Sequence, residues 1–152
     1  MKAQIEPGGV FCDDRGTLRY MNEVNFEDVR RFYQVENHER GTIRAWHGHK
    51  HEAKYVWVTK GSAIVCHIAM EGVAFDEGKA YHHSQNMTRV VLSDKQPKLL
   101  YIPEGNYNGF KTLEEDTRVI FFSTSTLAQS ADDDIRLEHD ALGTNMWKVI
   151  PR

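Results

Sequence analysis

The sequence predicts an all-β protein folded as one antiparallel barrel, and three observations predict it. Apolar and polar residues alternate over short runs, the period of a half-buried strand. Turn-forming residues recur between those runs at close spacing, as in sandwiches and barrels. A length of 152 residues is enough for one domain, 1–152, with a buried core and no staples.

In chain order, strands are predicted over residues 17–21, 31–35, 42–46, 54–59, 63–70, 87–93, 98–102, 109–112 and 118–123. Their Val, Ile, Thr, Tyr, Phe and Trp content suits a pleated surface, and Gly, Pro, Asn, Asp or Ser stand between them. Residues 25–30 and 126–133 are predicted as short helical turns. The run Asp132-Asp133-Asp134 is expected to be a solvated turn or cap.

Composition narrows the function. A net charge of −3 with scattered basic residues argues against a nucleic-acid surface, so the expected partners are small molecules or proteins. No secretory or membrane-spanning stretch opens the chain at Met1-Lys2-Ala3-Gln4. Cys12 and Cys66 form no Cys-x-x-Cys spacing, which places the protein in a reducing cytoplasm with free thiols.

The chemistry concentrates between Gly41 and Gly61. His47 and His49 lie two apart in an alternating segment, so both imidazoles leave one strand on the same face. The next strand opens with Lys54. If these three face the interior, Val56 and Val58 follow them inward, while Trp46, Tyr55 and Trp57 face out and need a cover. A second subunit is the expected cover, and the chain's own terminal segments are the alternative. The same parity puts Arg44 on the face opposite His47.

Gly41, His47-Gly48-His49 and Gly61 resemble the first motif of the cupin superfamily, whose jelly-roll barrel holds a divalent metal on two His, a Glu and a later His. Here Lys54 takes the place of the Glu, and Asn108 takes that of the last His in Pro103-Glu104-Gly105-Asn106-Tyr107-Asn108. An ammonium has no lone pair for a metal and repels it, so no metal and no other cofactor is expected. Glu52 or His51 would rescue a metal site only by a shifted register.

Further motifs narrow the resemblance. Phe11-Cys12-Asp13-Asp14-Arg15-Gly16-Thr17-Leu18, Arg44-Ala45-Trp46-His47, Tyr101-Ile102-Pro103-Glu104-Gly105 and Ile135-Arg136 are similar to segments of dTDP-4-dehydrorhamnose 3,5-epimerases. His47-Gly48-His49-Lys50 looks more like the related 3,4-ketoisomerases. The resemblance implies an isomerase of a dTDP-linked 4-keto-6-deoxyhexose in deoxysugar and polysaccharide biosynthesis, and the outward aromatics add the expectation of a homodimer. It implies epimerisation at C3 and, in the 3,5-epimerases, C5; the other reading is 3,4-ketoisomerisation. A metal cupin or a non-catalytic sugar-nucleotide binder would be a different class.

His47 suits the base, Lys54 the enolate stabiliser, and His49 a second proton-transfer group. The carboxylate behind the base falls at His139 or Asp140 depending on alignment, and Asp140 is preferred because only a carboxylate stabilises a charged imidazole. Arg15 and Arg44 suit the pyrophosphate, and Tyr33, Asn108 and Phe11 are further binding candidates. Phe122 stands where the epimerases carry a tyrosine acid. Tyr33, Tyr101 and Tyr107 are therefore the replacement donors to test, while His51, His82 and His83 are expected to face solvent without a role.

Overall fold

The computed structural model describes residues 4–152, and the chain is all-β. One five-stranded antiparallel sheet runs in the order β1 (Gln4–Pro7), β11 (Lys98–Ile102), β6 (Lys54–Lys60), β13 (Arg118–Ser123), β4 (Arg31–Glu36). The other runs β10 (Thr88–Ser93), β7 (Ser62–Ala69), β12 (Asn106–Thr112), β5 (Ile43–His49), β14 (Ile135–Arg136). Their facing sides form a jelly-roll core in which Val56, Val58, Val65, Leu100, Val119 and Phe121 are buried.

Two hairpins stand apart from these sheets, β2 (Gly9–Asp13) with β3 (Gly16–Tyr20) and β8 (Val73–Asp76) with β9 (Lys79–His82). The second turns at Glu77 and Gly78, both with positive φ, which matches the right-handed twist of the strands it joins. Strands β1, β2, β8, β9 and β14 were not predicted. They are short, and those whose burial is described bury little, so they lack the alternation that marks a strand in sequence. The expected helical turn at residues 25–30 is a single turn in which Val29 N–H donates to the Phe26 carbonyl. The other becomes α1 (Leu127–Asp132), where Thr126 and Gln129 form a reciprocal capping box.

Strand parity holds on β6: Lys54, Val56 and Val58 point in, while Tyr55 and Trp57 are half-buried on the outer side. Trp46 also leaves the core face, but it needs no second subunit. It is fully buried with Ile64, Cys66, Ile68 and Tyr107 beneath Leu142 and Trp147 of the same chain, its ring 5.2 Å from that of Trp147. Side chains of the sheet and a hairpin tie this C-terminal segment down by donating to its carbonyls: Arg89 to Met146 and Lys148, Lys111 to Trp147, and His82 to Leu142. His82 is therefore a tether rather than a solvent-facing residue.

Parity fails on β5, with consequences for the site. Asn108 pairs with His47 and Phe110 with Arg44, so β5 spends three residues where β12 spends two. This extra residue reverses the alternation and turns Arg44 to the same side as His47, correcting the sequence expectation. Gly109 permits it: a Cβ there would lie 2.5 Å from the Ala45 Cβ and 2.9 Å from the Arg44 carbonyl oxygen.

Candidate active site

A cavity of about 320 Å³ opens at one end of the barrel between the two sheets. Arg31 and Tyr33 from β4, Lys54 from β6 and Phe121 from β13 form one wall. Arg44, His47 and His49 from β5, Asn108 from β12 and Arg136 from β14 form the other. The i, i+2 spacing of His47 and His49 and of Arg31 and Tyr33 places each pair on one side of its strand.

Lys54 is 6% exposed, and its Nζ donates to Tyr33 Oη at 3.2 Å while lying over the rings of Tyr33 and Phe121. The cavity thus holds a buried cation against a phenol. Tyr33 is the only one of the three proposed donor tyrosines that lines it. Tyr101 packs on Tyr55 at the outer face of the first sheet, and Tyr107 belongs to the outer core of the second. Phe122 also points outward, onto Phe26, and Phe121 is the neighbour that presents its ring to the cavity.

His47 is half-buried at the mouth. Burial first, then the nearby Arg136 and Lys54 cations, push it down to about 4, so its imidazole is neutral near pH 7. Arg136 is its direct partner on β14, and Asp134, paired with Arg136 at 3.0 Å, lines the same cavity and pulls the imidazole partly back upward. Asp140, the expected carboxylate, is exposed in the turn before Gly143 and does not line the cavity; His139 is exposed as well. In this geometry Asp134 replaces Asp140 as the acidic group beside His47. The acidic run is also more than a solvated turn, because Asp133 accepts from the backbone N–H groups of Lys50 and His51 and fixes the β5–β6 loop.

In the sequence Glu52 stands out only as one of two residues that could rescue a metal site by a shifted register. Its side chain is fully buried behind the cavity, 3.2 Å from His49 Nε2, 3.5 Å from Arg31 and 3.9 Å from Lys54 Nζ. Ser123 and Ser130 each donate a hydroxyl to it, at 2.6 and 2.7 Å. With its oxygens so engaged and two cations beside it, Glu52 does not fit a metal ligand. His51, the other candidate for rescue, is exposed. Among the described residues no three His, Cys, Asp or Glu side chains group as a metal set. Asn108, at the last ligand position, donates to the His47 backbone carbonyl at 3.2 Å.

Phe11 and Arg15 do not reach this cavity. Phe11 is 53% exposed on β2, and Arg15 at the hairpin turn pairs with Asp13, its Nε donating at 3.0 Å.

Residues 4–151 match the sequence profile of the family described as dTDP-4-dehydrorhamnose 3,5-epimerase. The chain belongs to this family. It is accordingly an isomerase of the dTDP-sugar epimerase class. No curated protein sequence matches the chain. Among solved structures, it resembles the rmlC epimerase of Mycobacterium tuberculosis at 19% identity and TM-score 0.71, covering 91% of this chain and 70% of that one. It also resembles ChmJ, a 3′-monoepimerase from Streptomyces bikiniensis solved with dTDP-quinovose, at 16% identity, TM-score 0.68 and coverages of 89% and 69%. A third likeness is to QdtA, a sugar 3,4-ketoisomerase from Thermoanaerobacterium thermosaccharolyticum solved with TDP, at 15% identity, TM-score 0.65 and coverages of 90% and 88%. At these identities the likeness is one of fold.

Proposed function

We propose that the chain epimerises C3, with or without C5, of a dTDP-linked 4-keto-6-deoxyhexose through an enolate and without a metal. The observation that supports this reading is the division of the cavity: a neutral imidazole, His47, stands on one wall and a phenol beside an ammonium, Tyr33 with Lys54, on the other. Inverting a carbon centre requires a proton to leave one face and another to arrive at the opposite face, and facing walls supply both.

The keto group at C4 acidifies the C3 proton. His47 takes that proton, and the electron pair of the C–H bond moves onto the C4 oxygen, whose developing charge Lys54 stabilises in a largely dry site. Tyr33 returns a proton to the opposite face of C3 as the C4 carbonyl reforms. The phenolate then regains a proton from solvent while His47 releases the one it took. Arg44 and Arg136 at the mouth suit the diphosphate. Its negative charge offsets the cations that depress His47 and so strengthens the base when substrate binds.

Phe11 and Arg15 fit a nucleotide role only from a second subunit. The homodimer is supported by aromatics still uncovered on the outer side of the first sheet, where Phe32 is 71% exposed near half-buried Tyr55 and Phe122. Two free cysteines, Cys12 and Cys66, suit a cytoplasmic setting, and among the described residues no helix is long and apolar enough to cross a membrane.

A second reading, 3,4-ketoisomerisation, is favoured by His47 and His49 sharing one wall. Turnover of dTDP-4-keto-6-deoxyhexose in heavy water separates the two. Deuterium at C3 with the keto group still at C4 is the expected result, and a product with its keto group at C3 overturns epimerisation. No solvent exchange with any such sugar overturns both.

A further inference from the structure

The two neighbouring histidines differ in access, and the difference follows from donor counting. Ser130 has one O–H, which it donates to Glu52 Oε2 at 2.7 Å. Its oxygen also lies 3.4 Å from His49 Nε2, so at that contact Ser130 has only a lone pair to offer, and the imidazole must supply the proton. The Glu52 carboxylate, 3.2 Å from the same nitrogen, favours a proton there too. His49 is therefore the Nε2–H tautomer. Its remaining nitrogen, Nδ1, is buried without a partner. His49, Glu52 and Ser130 are 5%, 3% and 8% exposed, so His49 meets the cavity with one edge of its ring while both its nitrogens are turned away from water.

We propose that Glu52, acting through Ser130, makes His49 a positioning residue rather than a proton-transfer group, and leaves His47 as the one imidazole open to a sugar. Glu52 sits on neither wall but behind both. Through His49 it holds β5 of the second sheet, through Ser130 it holds α1, and through Ser123, Arg31 and Lys54 it holds the first sheet. One buried carboxylate thereby sets the distance between the base on one side and the ammonium–phenol pair on the other. The second proton exchange of an epimerisation then falls to the facing wall, and a mechanism that passes a proton between adjacent histidines lacks its second member.

This inference rests on the reading of the cavity as the site of an enolising isomerase, but its first test does not. Nitrogen-15 spectra of the imidazoles in the unliganded full-length protein are expected to show His49 as the Nε2–H tautomer, with that signature lost or mixed in Glu52→Gln and Ser130→Ala. A wild-type His49 protonated at Nδ1 overturns the assignment whatever the enzyme turns over. In turnover, His49→Gln, whose amide can still donate toward Ser130 and Glu52, is expected to keep kcat within about tenfold, while His47→Gln loses about a thousandfold. Equal losses in the two variants overturn the proposal. Glu52→Gln is expected to lower kcat about 10- to 100-fold with KM changed less than threefold. An unchanged kcat in that variant removes Glu52 from the positioning role. If a variant fails to fold, the wild-type spectrum still decides.

Discussion

The two walls of the cavity are built differently. The wall of the first sheet comes from stretches in regular register, in which Arg31 and Tyr33 on β4, Lys54 on β6 and Phe121 on β13 all point inward by simple alternation; the one shift there, between Arg118 and Val119 of β13 against β6, lies at the strand ends away from Lys54. The wall of the second sheet depends on an irregular one, with an extra residue in β5 opposite Gly109 and the two-residue strand β14 added at the edge. The regular wall carries the fixed cation and its phenol. The irregular wall carries the open imidazole and the arginines at the mouth. Where the chemistry needs a charge held deep inside, alternation suffices; where it needs side chains gathered from several strands at an opening, the backbone departs from alternation.

This contrast can be broken at either wall. The largest effect is expected at His47: its change to Gln removes the base and should lower kcat by about 10³-fold with the fold intact, measured by turnover of the dTDP-4-keto sugar. Tyr33→Phe on the other wall should lower kcat by about 10²-fold but leave proton removal by His47 working. Solvent exchange should then outlast epimerisation, and parallel loss of both would argue against facing-wall chemistry.

A third test concerns the irregularity itself. Gly109→Ala forces a methyl against the Arg44 carbonyl and Ala45 and should destabilise the fold by about 1–3 kcal/mol while raising KM more than it lowers kcat. A thermal midpoint within a degree of wild type would show that the approach of β12 to β5 is not tight.

The pH dependence sharpens the same comparison. His47 at the mouth is pushed down to about 4, and His67 in the interior is lowered mainly by burial, opposed by its contact with Asn106. Both are held neutral in the fold, whereas the unfolded chain takes up protons below its ordinary histidine value of about 6.5. Their stabilising effect is therefore fully present above pH 6.5 and is lost as the pH falls toward 4. The loss expected from His47 is on the order of 1–2 kcal/mol after allowing for solvent at the mouth. Denaturation at pH 7 and pH 4.5 should show it, with a smaller difference in His47→Gln. The smallest effect is expected at Asp140, whose change to Asn should alter kcat less than twofold because the side chain is exposed outside the cavity.

Much of this was legible from residue order. The inward set on β6 follows from Lys54, Val56 and Val58 lying two apart, and a lysine in a ligand position signals a site for anions. Arg31 was legible in principle too, since it shares parity with Tyr33. Asp134 and Arg136 were not, because their place depends on β14 pairing with β5 over a long loop. Glu52 reads at most as a metal ligand in a shifted register until Ser123, Ser130 and His49 close around it.

Residue order alone sets the strand alternation, the family, the paired imidazoles and the lysine, because each of these is local and repeats every second residue or sits in a short motif. Long-range packing settles which carboxylate stands by which imidazole, turns Arg44 inward, and covers Trp46 with its own chain. Those outcomes depend on contacts between residues far apart in the chain. A single added residue in one strand, accommodated by a missing Cβ in the next, is enough to reverse what alternation predicts.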